Sequence, residues 1–341
     1  MGAFLLKKYP IRGTIDENYI KILIAEVVVK KIIPLILLVF GVFACIVYFA
    51  NSRPAGQDTS FQISVGQTTT VVPVNVPVTS NSVSLAVVGD FDGDYGPSAK
   101  VASAIAAANP NYILTVGDNG HGLVPYDKLS PIYVQYHDQQ KMFPALGNHD
   151  LYGSNYVPYD MNNLPFNQYY TYLNGSRYYS HVFGNGLVEV FFLNSNVLEP
   201  DGNTVGSKQA LWLENAMQQS TAKFKIVILH EPPYVSCDMF GKNYNGNPSV
   251  RWPFAQWGAD LVLSGHCHIY ERLRLDGIPY VVDGIGGGGA VNGLLNNPLP
   301  QSIVRKNGVD GYTYIVATDQ SLNISVITTG GSVIDSFVIN K

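Results

Sequence analysis

The chain holds 341 residues, of which 46% are hydrophobic, 12% aromatic and 13% charged, with 33 Gly and 20 Pro. That composition excludes a disordered chain, a coiled coil and a collagen-like repeat, and it leaves apolar material for a large core. A formal net charge of −4 gives no overall attraction for nucleic acid. The charge is unevenly divided: residues 1–50 carry six Lys or Arg against three Asp or Glu (+3), and the other 291 carry 15 against 22 (−7).

Residues 32–50, IIPLILLVFGVFACIVYFA, are nineteen residues without a charge, and about 20 apolar residues span a hydrocarbon core. One N-terminal transmembrane helix is expected there. Lys7, Lys8, Arg12, Lys21, Lys30 and Lys31 precede the run and only Arg53 follows closely. The positive-inside rule then leaves residues 1–31 in the cytosol and the bulk of a single-pass chain on the extracellular or lumenal side. Residues 51–80, rich in Thr, Val, Ser, Gln and Pro, read as a stalk with one edge strand through 70–78. Asn174-Gly175-Ser176 and Asn323-Ile324-Ser325 fit the glycosylation acceptor pattern, which suits an outward-facing domain. Cys45 lies in the apolar run. Two remaining cysteines define no disulfide framework, so Cys237 and Cys267 are expected as free thiols, Cys267 packed in the core.

From residue 81 the pattern alternates strand and helix. Strands are predicted at 83–88, 112–116 and 142–146, with helices at 98–108 and about 126–139 between them. This βαβαβ order implies a parallel layer with right-handed crossovers. A hairpin of 178–183 and 187–193 follows, then a helix at 207–219 and strands at 224–229 and 261–264. Apolar runs near 278–283, 312–317, 322–328 and 333–339 read as β. The expected fold is α/β (α+β): two mixed sheets packed face to face as a sandwich flanked by helices, all within residues 81–341.

The chemistry is concentrated at five strand ends. Asp90, Asp118, Asn148, His149, His230, His266 and His268 each follow the end of a predicted strand by one to four residues. In open α/β sheets the carboxyl ends of the strands form the site. Neutral imidazoles and carboxylates converging there are the ligands a borderline divalent metal prefers. In Gly265-His266-Cys267-His268, a period of two points both histidines one way and turns Cys267 from them.

The series Gly89-Asp90, Gly117-Asp118-Asn119, Gly147-Asn148-His149-Asp150, Val227-Ile228-Leu229-His230 and Gly265-His266-Cys267-His268, extended by Tyr270-Glu271-Arg272, resembles the calcineurin-like metallophosphoesterases. Within them the purple acid phosphatase-like branch is the most similar, over roughly residues 83–285. The resemblance implies two metal ions, of Fe, Mn or Zn. Asp118 would bridge them, Asp90 and His268 would hold one, and Asn148, His230 and His266 the other. It implies hydrolysis of phosphomonoesters by a metal-bridging hydroxide attacking phosphorus, with His149 as general acid or electrostatic support. Alternatives on the same motifs are a phosphodiesterase or nucleotide hydrolase, and an inactive interaction module that keeps the fold.

Two positions depart from that pattern. His121 stands where purple acid phosphatases have the tyrosine that gives them their colour, and Asp92 stands where the wider superfamily often has a histidine ligand. His121 is a candidate ligand or a support for His149; Asp92 is a candidate ligand or part of a solvated turn. A small phosphorylated substrate is expected, and an acidic domain argues against a nucleic-acid polymer. Arg177, Tyr156 and Tyr159 are candidates for substrate recognition. Glu271 and Arg272 are expected to pair with each other, and the glycines of 284–289 to form a close-packed loop. His137, His181, Trp212, Trp252 and Trp257 read as structural.

Overall fold

Strands that must be buried on both faces announce themselves as near-continuous apolar runs, and Val83–Val88 is one, broken only by Ser84: Leu85, Ala86, Val87 and Val88 are all fully buried. The computed structural model describes residues 81–91, 96–120, 126–152, 157–289 and 291–341. The apolar run 32–50, the stalk, Asp92, His121 and Tyr156 lie outside the described residues. Among the described residues no helix is long and apolar enough to cross a membrane.

In chain order, β1 (Val83–Val88), α1 (Gly96–Ala108), β2 (Tyr112–Thr115), α2 (Pro131–Asp138) and β3 (Met142–Pro144) are followed by α3 (Pro165–Tyr169). The hairpin β4 (Tyr179–Phe183) and β5 (Val188–Phe192) leads to α4 (Lys208–Gln219) and β6 (Phe224–Ile228). Then come β7 (Cys237–Met239), β8 (Lys242–Tyr244), α5 (Phe254–Trp257), β9 (Leu261–Ser264), β10 (Tyr270–Leu275) and β11 (Ile278–Asp283). The last elements are β12 (Gly293–Leu294), β13 (Ser302–Lys306), β14 (Gly311–Ala317), β15 (Ser321–Thr328) and β16 (Val333–Asn340). The helix expected over 126–139 is interrupted: a 3₁₀ turn at Tyr126–Lys128 precedes α2, because Pro131 can begin a helix but not continue one.

Among the described residues the strands form two large mixed sheets and one small one. The first has the order β16-β15-β14-β1-β2-β3, with β1, β2 and β3 parallel and β14 antiparallel to β1. The second has the order β13-β10-β11-β9-β6-β5-β4, with β5, β6, β9 and β11 parallel. One apolar cluster joins Leu85 and Ile315 of the first sheet to Val190, Phe192, Ile226 and Leu263 of the second, so the sheets share a core. The alternate residues Phe191, Val227 and Val262 face a separate cluster with Leu213 and Met217 of α4 and Phe254 of α5. Strands buried on both faces must supply apolar residues to two layers at once, which is why these segments read as continuous rather than alternating. Ser207 caps α4 by accepting from the Ala210 amide. On the first sheet, Val101, Ala102 and Ile105 of α1 are fully buried in the shared cluster.

Two expectations are corrected here. Cys237 and Cys267 are joined in a disulfide, not free. The small sheet β12-β7-β8 brings Cys237 beneath the loop that carries Cys267, with Cα atoms 6.5 Å apart, inside the bridging range. Glu271 and Arg272 do not pair: neighbours on a strand point to opposite faces. Buried Glu271 accepts from the Ser236 amide, and Arg272 binds the Asp335 carboxylate of β16 with Nε at 2.6 Å and Nη2 at 3.0 Å. The glycine loop is as tight as expected, since a Cβ at Gly284 or Gly286 would fall on the Cys267 or Gly89 carbonyl oxygen.

Candidate metal centre

The ends of β1, β2, β6 and β9 deliver the motif residues to one place. Buried Asp90, Asp118 and His230 offer ligand atoms that all lie within 4.8 Å of one another. Asp118 Oδ2 is 3.3 Å from His230 Nε2, and His268 Nε2 is 3.5 Å from Asp90 Oδ1. Asn148 Oδ1 is 2.9 Å from both His230 Nε2 and His266 Nδ1, which are 3.2 Å from each other. Both histidines of the 265–268 loop face the site and Cys267 faces away, as expected. The cause is a bend with His266 in left-handed backbone (φ 70°) rather than a strand.

The backbone is held in uncommon conformations to achieve this. Asp90 (φ 55°) and Asp118 (φ 51°) share the left-handed region with His266, a conformation that costs energy and gathers at functional sites. The motif glycines have a steric reason. A Cβ at Gly147 would coincide with the Asp118 amide and carboxylate, and one at Gly265 with the Asp90 carboxylate.

The donor set fits a cation. His230 Nδ1 donates to the Val116 carbonyl at 3.0 Å, which turns the lone pair of Nε2 toward Asn148 Oδ1 and Asp118 Oδ2. Lone pairs and carboxylate oxygens facing one another in a buried site repel unless a positive charge stands between them. The titration behaviour expresses the same demand. Burial disfavours charge on His230, yet Asp118 and Asp90 outweigh it and push its pKa up to about 10. Burial and the neighbouring His230 hold His266 down to about 4.

A network that the sequence motifs contain, but whose role sequence reasoning missed, fixes the loops beneath. Asp150 accepts from the Gly147 amide (2.7 Å), the Asn119 amide (3.1 Å) and side chain (2.9 Å), and the Tyr126 hydroxyl (2.8 Å). Burial and nearby Asp118 raise the Asp150 pKa to about 6, against the hydrogen bonds from Gly147 and Tyr126. Asn119 also donates to the Ala145 carbonyl. Asn292, another residue not singled out in the sequence, accepts from the His268 amide at 2.7 Å, and the ring of Tyr244 stands 5.6 Å from that of His266.

His149 sits at the mouth, its side chain 19% exposed and Nε2 4.0 Å from Asp118 Oδ2. Its amide donates to Asp118 Oδ1 at 2.9 Å. Arg177 is not available for recognition: it forms a bidentate pair with Glu199, whose side chain is fully buried. Tyr159 is partly exposed. His137 stacks on Tyr169, His181 lies 4.1 Å from the Phe143 ring, and the three tryptophans pack around α4 and α5 as expected.

A sequence model of the calcineurin-like phosphoesterases matches residues 83–270, and the chain belongs to that family. Among solved structures, the chain is similar to the purple acid phosphatase PPD1 from seeds of yellow lupin (Lupinus luteus). The TM-score is 0.57 at 17% identity, over 77% of this chain and 54% of the lupin enzyme, so this chain spans about half of that enzyme's length. It is also similar to GAP50, the anchor in the inner membrane complex of Plasmodium, with a TM-score of 0.54 at 17% identity over 76% of this chain and 89% of that one. At that identity both likenesses are of fold. The calcineurin-like fold of two mixed sheets with flanking helices, and an Asp/Asp/His group at its strand ends able to hold a metal ion, are thus common ground between sequence and structure.

Proposed function

We propose that the chain is a membrane-anchored phosphoesterase that hydrolyses phosphomonoesters on two metal ions, its catalytic domain facing the extracellular or lumenal side. The observation that carries the reading is the convergence of Asp90, Asp118, Asn148, His230, His266 and His268 in two adjoining groups of donor atoms that share Asp118. Asp90 and His268 would hold one ion, Asn148, His230 and His266 the other, and Asp118 both. Such ions supply Lewis-acid stabilisation of phosphoryl charge and a nucleophile at neutral pH. The chain supplies the rest: Val116 fixes the His230 tautomer, Asp150 and Asn119 fix the loops, and His149, its side chain 19% exposed, protonates the leaving oxygen or supports the phosphoryl oxygens. Metals of the Fe, Mn or Zn type suit the mixed imidazole and carboxylate donors. His121 and Asp92 remain further candidates for the first ion.

The outward orientation is supported by the +3 and −7 charge division on either side of residue 50. It is also supported by the disulfide, a bond that persists in oxidising compartments. Asn174, exposed in a turn, suits the proposed glycosylation better than Asn323, which is half-buried within β15.

A second reading is an anchoring module, favoured by the likeness to GAP50 across 89% of that anchor's length. Metal analysis of the full-length chain separates the two. The phosphoesterase reading expects about two equivalents, a marked loss of metal in Asp118→Asn, and turnover of monoesters above diesters and pyrophosphates. A folded protein that takes up no metal is the result that would support the anchor instead.

A further inference from the structure

β7 and β8 are joined by a two-residue turn, Phe240-Gly241, and both residues have positive φ, 54° and 78°. Such a turn suits the twist of a hairpin, and Asn-Gly fills it most easily. Phenylalanine is a poor choice there, since its Cβ is crowded in left-handed backbone. Nor does burial explain it: Phe240 is 81% exposed. Neither the turn nor the core accounts for an aromatic ring at this point.

Its surroundings do. β12 pairs with β7 through Gly293↔Asp238 and Leu294↔Cys237, and the same register, continued, brings Val291 level with Phe240. Val291 is itself 54% exposed. The small sheet that bears this apolar pair is fastened to the metal-centre loop at three points. Cys237 is bonded to Cys267, Asn292 accepts from the His268 amide, and Tyr244 borders His266. Val291 is therefore one residue from a side chain that holds the His268 backbone.

We infer that Phe240 and Val291 form an apolar lip that receives the organic group of the ester, and that the favoured substrates carry an extended alkyl or aryl chain rather than a short polar one. The inference rests on the phosphoesterase reading. A phosphoryl group held by Asp118 and its neighbours must direct its organic substituent out of the site, and the sheet that bears the lip also carries Tyr244, whose ring stands 5.6 Å from that of His266. Tyr244 pairs with Cys237, three residues from Phe240 along β7, about 10 Å at strand rise, so a long chain reaches the lip and a two-carbon one does not.

Octyl phosphate and ethyl phosphate test this, because the chemistry at phosphorus is the same in both. With the full-length chain, Phe240→Asn should lower the octyl-to-ethyl ratio of kcat/KM about tenfold, chiefly through KM for octyl phosphate. Val291→Ser should lower it in the same direction. Phe240→Asn should melt no lower than the wild type, since asparagine fits the turn, and this excludes a folding defect as the cause. An unchanged ratio, or an equal loss on both esters, overturns the lip while leaving the phosphoesterase reading intact. Wild-type protein that hydrolyses neither ester overturns that reading, and the lip with it.

Discussion

Side chains of opposite electrostatic need share the candidate metal centre, and the side chain of His149, 19% exposed, is more open than those of Asp90, Asp118, His230 and His268. Asp118 is buried and receives the His149 amide, so the two positions are mechanically linked although only Asp118 belongs among the proposed ligands. His149→Gln is expected to keep the metal content and lower kcat about 100-fold, within the usual range for general acids. Metal analysis alongside kcat checks both halves, and loss of metal in that variant would make His149 a ligand. Asp150 plays a different part. Asp150→Ala leaves the Gly147 amide, the Asn119 amide and the Tyr126 hydroxyl without an acceptor, while the Asn119 side chain keeps the Ala145 carbonyl. At about 1–3 kcal/mol for each buried donor, a total loss of at least about 3 kcal/mol is expected in urea unfolding. The motif members were legible in the sequence because each follows an apolar run. The partners that orient them were not, because a hydrogen bond between residues 119 and 150 leaves no local pattern. Arg177 shows the opposite error: a cation in an insertion near the site looked like a substrate contact, but its carboxylate partner lay 22 residues downstream.

Elements differed in how far the sequence betrayed them. Long apolar runs such as β1 and β14 and the amphipathic α4 were legible to within a residue or two. β7, β8 and β12 are two or three residues each, rich in Gly, Asn and Asp, and too short for any period to register. Missing that sheet led directly to the expectation of free thiols. The disulfide closes a loop of 30 residues, for which chain entropy gives about 3–4 kcal/mol. The Cys237→Ala/Cys267→Ala double variant is expected to lose about that much in urea unfolding and to bind metal more weakly, because the bend presenting His266 and His268 is released. Undiminished metal affinity would reduce the bond to a general staple. β4 carries a pH-dependent contribution. Burial lowers the His181 pKa below its ordinary 6.5, so as pH falls the unfolded chain takes up this proton first. The stability due to the neutral ring is complete above 6.5 and is lost as pH drops toward the folded value. Against His181→Phe as reference, the wild-type urea midpoint should therefore fall as the pH is lowered through 6.5.

At the scale of the molecule, the proposed orientation makes a chemical prediction that needs no activity assay. Cells quenched in acid and denatured before alkylation should yield Cys237 and Cys267 unlabelled, and labelled only after reduction. Labelling without reduction would place the domain on the reducing side of the membrane. The mixed first sheet has a consequence of another kind, one of timing. Val83 of β1 pairs with Ala317 of β14, and its other neighbour is β2. The strand that ends in Asp90 is therefore an open edge until β14 has emerged, more than 220 residues later in synthesis. Loop closure over such a span is slow, and an unpaired, largely apolar edge is the surface from which chains aggregate. The nascent protein must be kept from its neighbours through most of its translation, and a stop codon between His268 and β14 should yield an insoluble product even though every motif of the candidate metal site has already been made.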